Sequence, residues 1–349
     1  MSLQFIFGNS GSGKSHYLYQ QIVEESIRHP EKNYLVLVPE QFTMQTQKDL
    51  CMAHPRGGIM NIDVLSFGRL AHRVFEETGK ERQSILDDEG KNLVLRKIAG
   101  NYEDELTVLK GNLKKQGYIS EVKSVISEFT QYGIDFEQLD SFMEGLNPES
   151  YLYYKLKDIR KVYEGFEDYL RDKYITKEEL LDVLSQTVPE AKMLKDSVIA
   201  MDGFTGFTPV QNRLILELMR CCKEVWVTVT MDERENPYAY KHPYQLFGLS
   251  KQMVTTLISL AREEHIAVEE PVCLYGYPVK RFEKNKELAF LERNIFRYGA
   301  GTYEKEVKNL GIHVARNPGE EAMAVAEEIR KLIRKERYRY REIGVIVSD

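Results

Sequence analysis

Four cysteines in 349 residues, Cys51, Cys221, Cys222 and Cys273, show no CxxC spacing and no paired framework. That scarcity suits a reducing cytoplasm, the expected location, and argues against a zinc or cluster site within this stretch. Long apolar runs are missing as well. None approaches the roughly 20 residues needed to cross a bilayer, so no membrane association is expected. The N-terminus enters an apolar strand within three residues, with no basic segment before it, which argues against a secretory signal. Positive charge is not in excess either: the formal net charge is −6. A protein that held nucleic acid by its overall field would be basic. DNA contact would therefore have to be local, in a groove, or shared with a partner. What remains is an ordinary globular composition, 42% hydrophobic and 29% charged, in a chain long enough for about two domains.

Hydrophobic periodicity supplies the organisation. Leu3–Phe7 is a short apolar run ending in a Gly-rich turn, as a buried strand does. Tyr19, Ile22, Val23 and Ile27 then recur at helical spacing. Tyr34–Val38 and Asp63–Leu65 read as further strands, with a helical pattern over Arg69–Glu77. This alternation predicts an α/β fold, a parallel sheet covered by helices. From about Phe75 to Val188 charges and aromatics fall at helical spacing, broken near Gly133 and at Asn147–Pro148, which predicts an all-helical insertion. Within it Tyr151–Lys157 interleaves Tyr with Lys. An amphipathic helix with its tyrosines inward explains that run better than a nucleic-acid surface does. Strands return at Val198–Met201 and Val225–Met231. Between them Thr208, Pro209 and Gln211 have the spacing of a capped helix start. Ile312–Ala315 and Ile343–Val347 read as strands around a helix that begins at Asn317–Glu320, the opening of another α/β unit.

The chemistry is concentrated at Gly8-Asn9-Ser10-Gly11-Ser12-Gly13-Lys14-Ser15, a complete G-x-x-x-x-G-K-[ST] between a strand and a helix. Glycines let the loop curl so that successive N–H groups face phosphate oxygens, and the following helix adds its open N–H groups and dipole. Lys14 is expected to reach the β- and γ-phosphates of ATP, and Ser15 to ligand Mg²⁺. The strand-end carboxylate that such a site needs for its metal is Asp202, although a turn residue before Gly203 would look the same. A hydrolysing enzyme would carry an acid in place of Gly203, whose loss removes a general base worth about 10²–10⁴ in rate.

The order of Gly8–Ser15, Leu35–Gln41, Val64–Phe67, a helical insertion and the Asp202 strand resembles a UvrD-type helicase. Pro39–Thr43 (PEQFT), Met201–Gln211 (MDGFTGFTPVQ) and the Asn317–Glu321 start resemble more closely the AddB family of AddAB helicase–nucleases. The resemblance implies a P-loop, RecA-like domain over 1–75 and 195–305, a helical insertion over 76–194, and the truncated start of a second such domain over 306–349. It implies ATP at Gly8–Ser15 and the magnesium position at Asp202. It also implies a site impaired in hydrolysis: Gly203 stands where a helicase has Glu, and Thr230–Glu233 lacks the sensor glutamine. A single-strand DNA path along Gln41, Thr43, Ser66 and Phe67 follows from the same likeness, although a core aromatic explains Phe67 equally well. The family further implies an A subunit as heterodimer partner, DNA as the shared substrate, and a role in break processing, recombination and Chi scanning. An iron–sulfur cluster is expected only in a C-terminal nuclease region. The competing readings are a stand-alone P-loop ATPase, a small-molecule kinase with the insertion as lid, and a scaffold whose loop is a relic.

Overall fold

Alternation along the first strand, β1 (Ser2–Gly8), already separates two faces: Leu3, Phe5 and Phe7 enter one core and Ile6 the other. A computed structural model of the chain describes residues 1–79, 84–113, 115–171, 173–299 and 301–347. Residues 80–83, 114 and 172 of the expected insertion, residue 300, and the last two of the 306–349 segment lie outside the described residues. Contacts divide the chain into two units, Met1–Glu283 and Lys284–Asp349.

In the first unit, β1 is followed by α1 (Lys14–Arg28), β2 (Tyr34–Leu37), α2 (Thr43–Ala53), β3 (Ile62–Leu65) and α3 (Phe67–Thr78). A short strand, β4 (Ser84–Leu86), leads into α4 (Asp88–Asn101), α5 (Gln116–Tyr132), α6 (Phe136–Glu144) and α7 (Tyr151–Leu170). The chain returns through β5 (Tyr174–Thr176) and α8 (Lys177–Thr187) to β6 (Val198–Met201), α9 (Pro209–Cys221), β7 (Glu224–Thr230) and α10 (Gly248–Glu263). Two short strands close it, β8 (Ala267–Val268) and β9 (Val272–Cys273). The main sheet runs β3-β2-β6-β7-β1-β8, with β9 also on β1, and every pairing is parallel. Leu35 and Leu37 of β2 face the same core as Phe5, while Tyr34 and Val36 face the other with Ile6 and Leu18. Helices cover both faces, as a parallel sheet requires. The fold is α/β with a RecA-like central sheet.

Predicted local signals recur as structure. Thr208 and Gln211 cap each other at the start of α9, at 3.4 and 3.0 Å, and α5 ends at Gly133 in the left-handed region. Ile27, placed on the buried face of α1 by its spacing, is exposed, and Ser26 takes that place.

The insertion differs from the all-helical expectation in two ways. β4 and β5 pair in parallel over three residues each, too short for a period-2 pattern to show. Leu180 and Leu184 of α8, with Val188, Ala191 and Leu194, pack into the same core as the sheet. Helices α4, α5 and α7 have a core of their own, including Leu95, Ile98, Val122, Ile126, Val162 and Phe166. The tyrosines at the start of α7 do not all turn inward: Tyr151 is 72% exposed, and the buried stripe starts at Asp158 and Ile159.

Asp158 organises the loop before α5. Its buried carboxylate accepts the backbone N–H groups of Thr107, Val108 and Leu109 at 2.6 to 3.0 Å. Asp158→Ala would leave three such donors without an acceptor, at about 1–3 kcal/mol each. A loss of at least about 3 kcal/mol in denaturant unfolding is expected, and an unchanged midpoint would contradict the assignment.

The second unit contains α11 (Lys286–Asn294) and α12 (Pro318–Arg334). Asn317 caps α12 by accepting from Glu320 N at 2.9 Å, whereas Glu320 accepts from Arg316 rather than from Asn317, so only half of the expected box forms. Within the described residues 312–315 and 343–347 form no strand, contrary to expectation. A strand is stabilised by the ladder it joins, and no ladder reaches either segment. No residue of α12 is buried.

Candidate nucleotide site

The Gly8–Ser15 loop leaves β1 at its carboxyl end and enters α1. Gly11 and Gly13 have φ of +83° and +99°, where an L side chain is strained. At the N-cap of α1 Gly13 offers no side chain to the first-turn N–H groups, which leaves them for an anion. Lys14 Nζ lies across the loop, donating to the Gly8 and Asn9 carbonyls at 2.9 Å each.

Asp202 stands at the end of β6, pinned by its N–H to Leu37 O at 3.0 Å and only 6% exposed. Three hydroxyls converge on its carboxylate. Ser15 Oγ donates to Oδ1 at 3.1 Å, Thr228 Oγ1 to the same oxygen at 2.6 Å, and Tyr19 OH to Oδ2 at 2.7 Å. Tyr19 OH is also 3.2 Å from Thr46 Oγ1 of α2. Burial, and then the negative charge of Asp202, push the Tyr19 phenol well above its ordinary pKa, so it stays a donor. A buried carboxylate needs such partners.

These residues border a cavity of about 780 Å³ lined by Ser10, Gly11, Gly13, Lys14, Ser15 and Asp202 among others. Two carboxylates line it, Asp202 and Asp49, and Asp49 accepts from Gln45 Nε2 at 2.7 Å. Gly203 follows Asp202 at φ +78°. The site thus joins hard oxygen donors, of the kind Mg²⁺ takes along with waters and substrate phosphates, to a cradle of amides. Ser12 lies on the other side of the loop, its Oγ buried and without a hydrogen-bond partner among the described residues.

The DNA candidates divide differently. Gln41 is exposed. Thr43 is buried and donates to Glu40 O at 3.0 Å, and Ser66 is buried as the cap of α3. Phe67, for which a base contact and a core role were equally open, is 8% exposed and packs its ring at 5.4 Å from Phe204 and 6.4 Å from Phe207. The expected path over Gln41–Gln45 includes the half-exposed Phe42 without singling it out, and sequence reasoning missed Tyr19, Thr228, Lys280 and Arg281. Tyr19 and Thr228 were hidden in apolar periodicity. The adjacent basic pair Lys280-Arg281 was the only visible trace of the last two.

A family described as ADDB, N-terminal, matches residues 5–292. The chain belongs to the AddB N-terminal family. The B subunit of an ATP-dependent helicase/deoxyribonuclease from Lachnoclostridium phytofermentans is 43% identical over 353 residues, covering 99% of this chain and 30% of that protein. Proteins of the same name from Caldanaerobacter subterraneus and Clostridium perfringens are 36% and 33% identical over the whole chain, again 30% of their length. The chain therefore spans about 30% of the AddB relatives it matches. Among the described residues no helix is long and apolar enough to cross a membrane.

Proposed function

We propose that this chain is the nucleotide-binding, helicase-like region of a DNA helicase–nuclease, taking Mg·ATP or Mg·ADP at Gly8–Ser15. The observation that carries the reading is the meeting of Ser15 Oγ and Asp202 Oδ1 at 3.1 Å across 187 residues of sequence. A bound magnesium would neutralise phosphate charge. Ser15 would ligand it, and Asp202 would hold it from the β6 end, with Tyr19 and Thr228 keeping the carboxylate oriented. Lys14 would exchange its carbonyl contacts for phosphate oxygens, and the loop amides would cradle them. A kinase with the insertion as lid is less well supported, because among the described residues none that lines the cavity comes from 76–194.

By family likeness, the region works with an A subunit on DNA during break processing, recombination and Chi scanning, and hydrolyses ATP poorly itself. Gln41 and Phe42, exposed after β2 at the same sheet end as the loop, are the side chains we assign to a single-strand contact. A base stacked on such an aromatic is worth about 1–3 kcal/mol.

Lys14→Ala removes a charge-assisted contact worth about 1.5–3 kcal/mol. Calorimetric titration with Mg·ADP should show at least about tenfold weaker binding than wild type. Equal affinities would defeat the nucleotide reading.

A further inference from the structure

A strap that comes late in the first unit lies across the phosphate loop. Val279 is 3% exposed and anchors it, and the backbone N–H of Arg281 donates to Gly11 O at 3.0 Å. The two residues after the anchor cover the two left-handed glycines. A Cβ added to Gly11 would lie 2.7 Å from Arg281 Cβ, and one added to Gly13 would lie 3.4 Å from Lys280 Cδ. Both residues line the same cavity as Lys14. Several basic residues elsewhere find carboxylates, such as Arg213 with Asp182, Arg220 with Glu264, Arg234 with Asp232 and Lys251 with Glu235. Among the described residues the side chains of Lys280 and Arg281 make no hydrogen bond or ion pair. The cavity sets three cations, Lys14, Lys280 and Arg281, against two carboxylates, Asp202 and Asp49, that neutral donors already engage, and an anion of several charges offsets the mutual repulsion of the cations.

From this placement we propose that Lys280 and Arg281 form a clamp, in the same chain as the loop, that holds the polyphosphate of a bound nucleoside di- or triphosphate. The proposal rests on the nucleotide reading above and adds the residues that select for phosphate number. Arg281 can present a forked pair of donors to phosphate oxygens, and Lys280 a point charge. Nothing in the G-x-x-x-x-G-K-[ST] motif includes either.

The test is calorimetric titration of ATP, ADP and AMP with magnesium into wild type, Lys14→Ala, Lys280→Met, Arg281→Met and Arg281→Lys. Methionine keeps the alkyl stem over the loop and removes the charge. Each methionine variant should bind ATP and ADP about tenfold more weakly, with a change for AMP of about threefold or less. Arg281→Lys, which keeps the charge and loses the fork, should recover part of the loss. If Lys14→Ala loses affinity while both methionine variants match wild type, the clamp is wrong and the nucleotide reading stands. If wild type binds no nucleotide, both fall. Equal losses for AMP and ATP, or a loss in Arg281→Lys as large as in Arg281→Met with a lowered melting temperature, would mean that the strap only supports the fold.

Discussion

Given Mg·ATP and single-stranded DNA, the protein should turn over ATP at least about a hundredfold more slowly than the roughly 10 s⁻¹ of a typical enzyme, and Gly203→Glu alone should not restore the rate. Water beside a bound γ-phosphate needs a base, and the position after Asp202 has no side chain. The deficit also extends to the backbone. Gly203 has φ +78°, and an L residue held there costs about 1–2 kcal/mol. A glutamate installed at 203 would strain the turn or move it, and would not present its carboxylate as a hydrolysing helicase does. Space is not the obstacle: an added Cβ would meet Pro39 and Phe42 only at 3.7 and 3.8 Å. Asp49, the other carboxylate on the cavity, is held by Gln45. DNA-stimulated turnover near 10 s⁻¹ by the wild-type protein would refute this account of the site, and full rescue by Gly203→Glu would refute the backbone argument.

Phe67→Ala should lower the stability of the first unit by about 3–5 kcal/mol. Its ring is 8% exposed and lies in the core that joins β1, β2, β6, β7 and α3 to α8 and α9. The partners Phe204 and Phe207 come from the turn after Asp202, and Phe204 also lines the Gly8–Ser15 cavity, so the void left behind would open beside that cavity. Truncation at Phe42 makes the contrast. That ring is 48% exposed, so Phe42→Ala should leave stability within about 0.5 kcal/mol while weakening single-strand binding. Denaturant unfolding and a DNA titration on both variants separate the two roles. A stable Phe67→Ala with a large DNA defect would reverse the assignment.

The two phenylalanines show where sequence reading stops. PEQFT and VLSF each place an aromatic just beyond a strand, and helical or strand periodicity cannot say which ring turns into the core. Burial was decided by distant partners in the chain, Phe204 and Phe207. The Gly8–Ser15 loop was legible because its glycines, lysine and serine are contiguous and their spacing is fixed by phosphate geometry. Asp202 was legible as the first polar residue after Val198–Met201. Its hydroxyl partners were not, since Tyr19 sits on an apolar helical face and Thr228 in a β-branched strand, where both fit as packing residues. The sheet followed from apolar runs and crossovers, while β4 and β5 are too short to carry any period. Strands expected at 312–315 and 343–347 have suitable residues but, among the described residues, no neighbour to pair with, which is a tertiary condition that local sequence does not encode.

Backbone amide exchange with and without Mg·ADP tests the central claim most directly, because the proposed contacts are N–H groups of known position. The account predicts protection on nucleotide binding concentrated at residues 9–16, with a smaller effect at 279–282, and loss of both in Lys14→Ala. Nucleotide binding that leaves the amides of 9–16 unprotected, or protects a different part of the chain, would contradict it.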